Sequence, residues 1–233
     1  GDARIRRSIQ MLKGTPTVLV RYELVGGEES IELRLRPLVA ASVGPYGAML
    51  ADGSEYRGNY GLGRAALADF HRERMHVLAT SGADLLACET IPCLDEALAV
   101  ADVLAEQNAI TAWISFSCKD GEHNVQGERL ADCVAALEVY PHIVAIGVNC
   151  TAPEYVASLV EQVKSRTTKP VLVYPNSGEH YDAEGKVWTG ACDPADAYAD
   201  MAARWQAKGA RMIGGCCRTG PDDIRAVRHM AAT

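Results

Sequence analysis

Three cysteines have the type and setting of metal ligands: Cys216 and Cys217 within Ile213-Gly214-Gly215-Cys216-Cys217-Arg218-Thr219, and Cys150 at the end of Gly147-Val148-Asn149-Cys150. Thiolates are soft ligands, and three of them in tetrahedral geometry favour zinc over magnesium, calcium or manganese. Three protein ligands leave one tetrahedral position open, the arrangement of a catalytic zinc rather than a structural one. A substrate thiol would fill it. A free thiol, with a pKa of about 8.5, keeps most of its proton at neutral pH, and coordination removes that proton while leaving the sulfur a usable nucleophile. Adjacent residues of a regular strand point to opposite faces, so Cys216 and Cys217 share a metal only if the strand stops and turns there. Gly214-Gly215 permits that turn. Two other readings stand beside this one. Free cysteine is among the most buried residue types, so the sulfurs are also readable as core thiols. A redox pair is the third reading, opposed by the strain of a disulfide between neighbours and by the lack of two intervening residues.

Glu89, closing the apolar run Leu85-Leu86-Ala87-Cys88-Glu89-Thr90, is the most conspicuous carboxylate, because a charge at the end of a buried strand needs a partner. A bound ammonium group would serve, and so would a salt bridge or water. Thr90, Asn149, Ser42 and Ser115 sit at equivalent strand ends and are candidates for binding a substrate carboxylate or amine. His180 lies in a polar stretch from Tyr174 to Asp182 that reads as a loop; it is left out of catalysis, since three sulfurs already supply the ligands. Arg218-Thr219-Gly220 reads as a helix cap in preference to an anion site.

The elements that must position these residues repeat from Pro37 onward: a short apolar run, a polar loop, then a helical pattern. Strands are predicted at Leu38 to Val43, Asp84 to Cys88, Ala112 to Ser117, Ile143 to Val148, Pro170 to Tyr174 and Arg211 to Gly215. Helices are predicted at Arg64 to Thr80, Leu94 to Gln107, Arg129 to Val139, Glu154 to Ser165, Pro194 to Lys208 and Pro221 to Met230. The class is α/β. Polar residues gather at the carboxyl end of every strand, and a (β/α)8 TIM barrel brings all those ends to one mouth, whereas an open sheet would bring only its central strands together. Residues 1–36 do not follow the theme: Arg4 to Lys13 reads as a helix, and Thr17 to Val25 with Ile31 to Arg36 as an antiparallel hairpin. The expected division is an atypical segment, 1–36, and a barrel, 37–233, whose first two βα units are missing or replaced by that helix and hairpin.

With 233 residues, 48% of them hydrophobic, the chain can bury one large core. Its net charge of −7 gives no reason to expect a nucleic-acid or anionic-membrane partner, and no apolar run is long enough to span a bilayer. The eight cysteines lie in or beside apolar segments rather than punctuating polar loops, which fits reduced thiols and a cytoplasmic location. Nothing in the sequence sets the oligomeric state.

Through Gly147-Val148-Asn149-Cys150 and Gly214-Gly215-Cys216-Cys217-Arg218, the chain from about Pro37 to its C-terminus resembles the zinc-dependent homocysteine S-methyltransferases. Ser42-Val43-Gly44-Pro45-Tyr46-Gly47, Leu50-Ala51-Asp52-Gly53-Ser54-Glu55-Tyr56, Glu89-Thr90 and Tyr174-Pro175-Asn176-Ser177-Gly178-Glu179-His180-Tyr181 look most like the branch using S-methylmethionine or S-adenosylmethionine; the betaine-using branch looks less similar. The resemblance implies a (β/α)8 barrel with zinc on Cys150, Cys216 and Cys217. It further implies homocysteine sulfur in the fourth position, Glu89 on the homocysteine amino group, Asn149 beside the first ligand, and methionine as product. The family's first two strands, the first ending in Asp-Gly, find no match in residues 1–36. That departure keeps a second expectation open: a truncated, non-catalytic paralogue that binds zinc or thiols, or a subunit requiring another chain.

Overall fold

The computed structural model describes residues 4–11, 18–26, 38–50, 52–107, 110–182, 185 and 187–231, the first two segments and residue 180 as backbone alone. The chain divides into two compact units, Gly1–Pro37 and Leu38–Thr233.

In the first unit, β1 (Arg4–Met11) pairs antiparallel with β2 (Val18–Gly26), Ile9 opposite Val20 and Met11 opposite Val18. The helix expected over Arg4 to Lys13 is therefore a strand. Ile5 and Ile9 are four apart, a spacing that suits a helix and a strand alike, but Met11 two residues further keeps only the period of two. The expected hairpin partner, Ile31 to Arg36, lies outside the described residues; Val18–Gly26 takes β1 as its partner instead.

The second unit is built on one six-stranded parallel sheet. Its strands are β3 (Ala40–Val43), β4 (Leu85–Ile91), β5 (Ala112–Phe116), β6 (Ile143–Asn149), β7 (Val171–Tyr174) and, after a short antiparallel hairpin of β8 (His180–Asp182) and β9 (Val187–Thr189), β10 (Ala210–Ile213). The order is β3-β4-β5-β6-β7-β10, sequential from one edge to the other. A doubly wound sheet reverses direction at a switch point. This sheet never does, so it winds one way, as the consecutive strands of a barrel do.

Helices follow the strands: α1 (Gly47–Leu50), a 3-10 turn at Ser54–Tyr56, α2 (Arg64–Ala79), α3 (Leu94–Gln107), α4 (Leu130–Leu137), α5 (Pro153–Lys164), α6 (Ala195–Lys208) and α7 (Pro221–Ala231). Their buried faces carry the expected spacing of three and four: Ala97, Val100, Ala101 and Leu104 on α3, and Val156, Leu159, Val160 and Val163 on α5, all at 1% exposure or less. α5 begins on Pro153, and α7 begins on Pro221 after Gly220 N–H has donated to Asp223 Oδ2 at 2.7 Å. Beneath these helices the strands bury Leu86, Ile114, Phe116, Ile146, Val148 and Val173 on the sheet side of a single core. Among the described residues no helix is long and apolar enough to cross a membrane.

The stretch from Tyr174 to Asp182, read as a loop, ends in β8. A strand of three residues is too short for alternation to announce it.

Candidate active site

β6 runs to Asn149, and Cys150 follows in the left-handed region at φ 46°. β10 stops at Ile213; after Gly214 and Gly215 the chain turns through Cys216 and Cys217, with Arg218 at φ 66° and Thr219 N–H returning to Cys216 C=O at 3.2 Å. The strand does stop and turn, and both neighbouring sulfurs face Cys150. The separations are 2.8 Å between Cys150 Sγ and Cys216 Sγ, 3.7 Å between Cys150 and Cys217, and 3.9 Å between Cys216 and Cys217. They form the one cluster of three or more candidate metal-ligating side chains among the described residues.

The donor set fits zinc. Zn–S bonds of about 2.3 Å in a tetrahedron set sulfurs about 3.8 Å apart, which two of the three separations match. Without a cation the cluster carries charge poorly: hydrogen bonds from Cys150 and then Cys216 pull the Cys217 thiol down to about 3, while contact with Cys216 and Cys217 drives the Cys150 thiol well above its ordinary range. One thiolate is held by its two neighbours' S–H groups, and further ionisation needs a positive charge between them.

Two glycines make this approach possible. A Cβ on Gly147 would stand 1.7 Å from Leu172 C=O of the neighbouring strand, and one on Gly215 would stand 2.3 Å from Thr219 Oγ1. The turn is then fastened by main-chain bonds to the segment after β7: Cys216 N–H donates to Pro175 C=O at 2.8 Å, and Ser177 N–H to Cys217 C=O at 3.2 Å. Tyr198, fully buried on α6, donates to Gly214 C=O at 3.0 Å. Arg218 Nε meets Glu179 Oε2 at 2.8 Å, and this pairing, followed by a hydrogen bond from Cys192, holds the Glu179 carboxyl below its usual range. The Arg218 guanidinium is thus taken by protein, and Thr219-Gly220 leads into the cap of α7.

Glu89 stands at the end of β4, where the pairing with β5 slips between Cys88 and Ile91. Such a slip re-aims side chains at a strand end. Its Oε1 accepts from Ser42 Oγ at 2.5 Å and its Oε2 from Tyr174 Oη at 3.0 Å. Tyr174 Oη also lies 2.6 Å from Ser115 Oγ and accepts from Trp113 Nε1 at 3.1 Å. Burial, and then the Glu89 charge, push the Tyr174 hydroxyl upward, so it stays protonated and donates. Asn149, at 1% exposure, completes the chain: Oδ1 accepts from Thr90 N–H and Ser115 Oγ, both at 2.8 Å, and Nδ2 donates to Thr90 Oγ1 at 2.8 Å and faces Cys216 Sγ at 4.0 Å. Thr90 is a β-branched residue at φ 60°, a costly conformation that these two bonds to Asn149 hold in place.

All eight residues singled out in the sequence, Ser42, Glu89, Thr90, Ser115, Asn149, Cys150, Cys216 and Cys217, therefore belong to one hydrogen-bonded or sulfur-clustered assembly. Ser115 and Asn149 are buried, with their side chains bonded to protein. His180 belongs to the β8 backbone, and its side chain lies outside the described residues. Sequence reasoning missed Tyr174, whose hydroxyl joins the two halves of the network. The available signal was a tyrosine ending the apolar run Val171-Leu172-Val173; that it stands opposite Asn149 emerges only from the strand register. It also missed Tyr56. Burial and the charges of Cys150, Cys217, Glu55 and Cys216 raise that hydroxyl's pKa, so it lies within electrostatic reach of the sulfur cluster.

The profile of the family described as homocysteine S-methyltransferase matches residues 8–231, so the likeness begins well before Pro37, where it was expected to start. The chain is 50% identical over 230 residues to homocysteine S-methyltransferase YbgG of Bacillus subtilis, covering 99% of this chain and 72% of that protein. It is 50% identical over 191 residues to a homocysteine S-methyltransferase of Escherichia coli, covering 82% of this chain and 62% of the relative. The crystal structure of the metallated form of the homocysteine methyltransferase MmuM from Escherichia coli superposes with a TM-score of 0.71 at 46% identity, over 84% of this chain and 61% of that one. The chain thus spans between three-fifths and three-quarters of the length of these relatives. With a sequential parallel sheet, a three-sulfur cluster at the ends of two of its strands and these likenesses, the chain belongs to the homocysteine S-methyltransferase family.

Proposed function

We propose that this chain transfers a methyl group from a sulfonium donor, S-methylmethionine or S-adenosylmethionine, to the sulfur of homocysteine, giving methionine. The observation that carries the reading is the convergence of three cysteine sulfurs and one half-buried carboxylate, Glu89, joined through Asn149, Ser115 and Tyr174. Family membership supports it.

Cys150, Cys216 and Cys217 would hold zinc. When bound, zinc supplies the charge that lets a substrate thiol lose its proton near neutral pH. The residues of the chain do the rest. Glu89 receives the ammonium group of homocysteine as a charge-assisted partner, giving up its bond from Ser42 and keeping the one from Tyr174. Tyr174, kept protonated, steadies the carboxylate from behind, while Ser115 and Asn149 fix Tyr174 and Thr90. The deprotonated homocysteine sulfur forms the new S–C bond as the donor's C–S bond breaks, and that electron pair returns to the donor sulfur and discharges it. Neutralising a sulfonium needs in-line alignment more than acid or base. The eight free cysteines support a reducing, cytoplasmic setting.

The test is methionine formation from homocysteine and each sulfonium donor, with zinc measured in the same sample. Turnover that requires zinc supports the reading. Zinc and homocysteine bound without transfer from either donor would replace it with a non-catalytic zinc- or thiol-binding role or a subunit requiring another chain.

A further inference from the structure

Three aromatic side chains, carried on segments tied to or within electrostatic reach of the sulfur cluster, take no part in the network around Glu89. Tyr56, at the end of the 3-10 turn, and Tyr181, on β8, have ring centroids 5.4 Å apart. Tyr181 and its cross-strand neighbour Trp188, on β9, have ring centroids 5.1 Å apart. The three rings make one continuous wall, and each is only partly buried. Its location is fixed from two sides. The β8-β9 hairpin springs from the segment Pro175 to Glu179, which is bonded to Cys216, Cys217 and Arg218. Tyr56 lies within reach of the charge of all three cysteines.

A fourth feature gives the wall a sign. Glu55 Oε2, next in sequence to Tyr56, is buried without a hydrogen-bond partner among the described residues. A buried carboxylate oxygen without a partner is costly unless a positive group meets it. Aromatic faces with a stranded carboxylate beside them form a site for a cation, and a soft, poorly hydrated onium group is the kind that ring faces select. Neither homocysteine sulfur nor the homocysteine ammonium claims it, since the first belongs with the cysteines and the second with Glu89.

The geometry points to Tyr56, Tyr181 and Trp188, with Glu55, as the subsite that binds the sulfonium centre of the methyl donor and holds it facing the cysteine cluster. This assignment rests on the methyl-transfer reading for the identity of the cation. It makes these residues determinants of donor affinity: ring faces attract the positively charged donor and release it once transfer has made its sulfur neutral, so donor binding and product release are coupled to the charge that the reaction removes.

The experiment uses the zinc-loaded chain and calorimetric titration with S-methylmethionine, with S-adenosylmethionine and with 2-amino-5-methylhexanoate, the neutral carbon isostere of S-methylmethionine. The cation should bind at least roughly tenfold more tightly than its isostere. Trp188→Leu and Tyr56→Leu should each weaken sulfonium binding by roughly three- to thirtyfold, the range expected for losing an aromatic face from a desolvated cation. Both should bind the neutral isostere nearly as before and keep zinc content and homocysteine affinity. Tyr56→Phe, which keeps the ring, should stay close to the parent, and Glu55→Gln should lose affinity for the cation alone. Equal losses for cation and isostere, unchanged sulfonium affinity in both leucine variants, or Tyr56→Phe as damaging as Tyr56→Leu would each overturn the subsite. Methyl transfer absent from a parent chain that shows this cation preference would overturn the proposed reaction and leave the cation site standing. The donor that shows the larger loss in Trp188→Leu is the one the wall is built to hold.

Discussion

The two poles of the mouth are built by opposite means. The sulfur pole is set by backbone: left-handed φ at Cys150 and Arg218, a missing Cβ at Gly147 and Gly215, and main-chain bonds from Cys216 to Pro175 and from Ser177 to Cys217. The carboxylate pole is set by side chains: Ser42, Tyr174, Trp113 and Ser115 converge on or behind Glu89 through hydroxyl and indole donors. A backbone-built pole tolerates little, because every sulfur must arrive at a fixed distance from a common centre. A side-chain pole can give up partners to an incoming ammonium group and recover them when it leaves. Asn149 belongs to both, with its amide between Thr90, Ser115 and Cys216.

Breaking the sulfur pole should have the larger effects. Cys217→Ser removes one of three ligands and should weaken zinc binding by roughly a hundredfold or more, with methyl transfer lost; metal analysis after dialysis checks it. Normal zinc retention would remove Cys217 from the ligand set. Gly147→Ala forces a methyl group into Leu172 C=O, and thermal or denaturant unfolding should register a loss of about 3 kcal/mol, with no comparable loss for alanine at the open position Gly63. The carboxylate pole should respond in affinity and not in metal content. Glu89→Gln should raise the homocysteine dissociation constant roughly tenfold to a hundredfold, the worth of a charge-assisted hydrogen bond, at full zinc occupancy. Unchanged affinity would reject the role given to Glu89. Tyr174→Phe is the smallest perturbation: one donor to Glu89 is lost, and homocysteine affinity should fall by about three- to tenfold. A Tyr174→Phe variant that lost zinc would show the two poles to be less separable than their hydrogen bonds imply.

What the sequence disclosed follows the same division. Periodic elements were legible because their signal is redundant: α3 ends where it was expected, at Gln107, and β5 begins where it was expected, at Ala112. The sulfur cluster was legible because the glycines that shape its turn stand beside the cysteines in sequence. The side-chain network was legible only in part. Ser42, Glu89, Ser115 and Asn149 occupy strand ends, where parity and position point to the mouth, but which of them touch depends on register. Register is a long-range quantity, and only the pairing of Asn149 with Tyr174 brings the Tyr174 hydroxyl into the chain of bonds. Arg4–Met11 was misread because two isoleucines four apart satisfy both periods. The β8-β9 hairpin was missed because three residues per strand give no period, and with it went the contact between Tyr181 and Trp188.

The decisive measurement is zinc per chain together with methionine formation before and after chelation. One zinc per chain is expected, with transfer from a sulfonium donor to homocysteine that disappears on metal removal and recovery of both when zinc is restored. Transfer that persists after zinc has been stripped, or a reduced and folded chain that takes up no zinc, would contradict the zinc-dependent reaction.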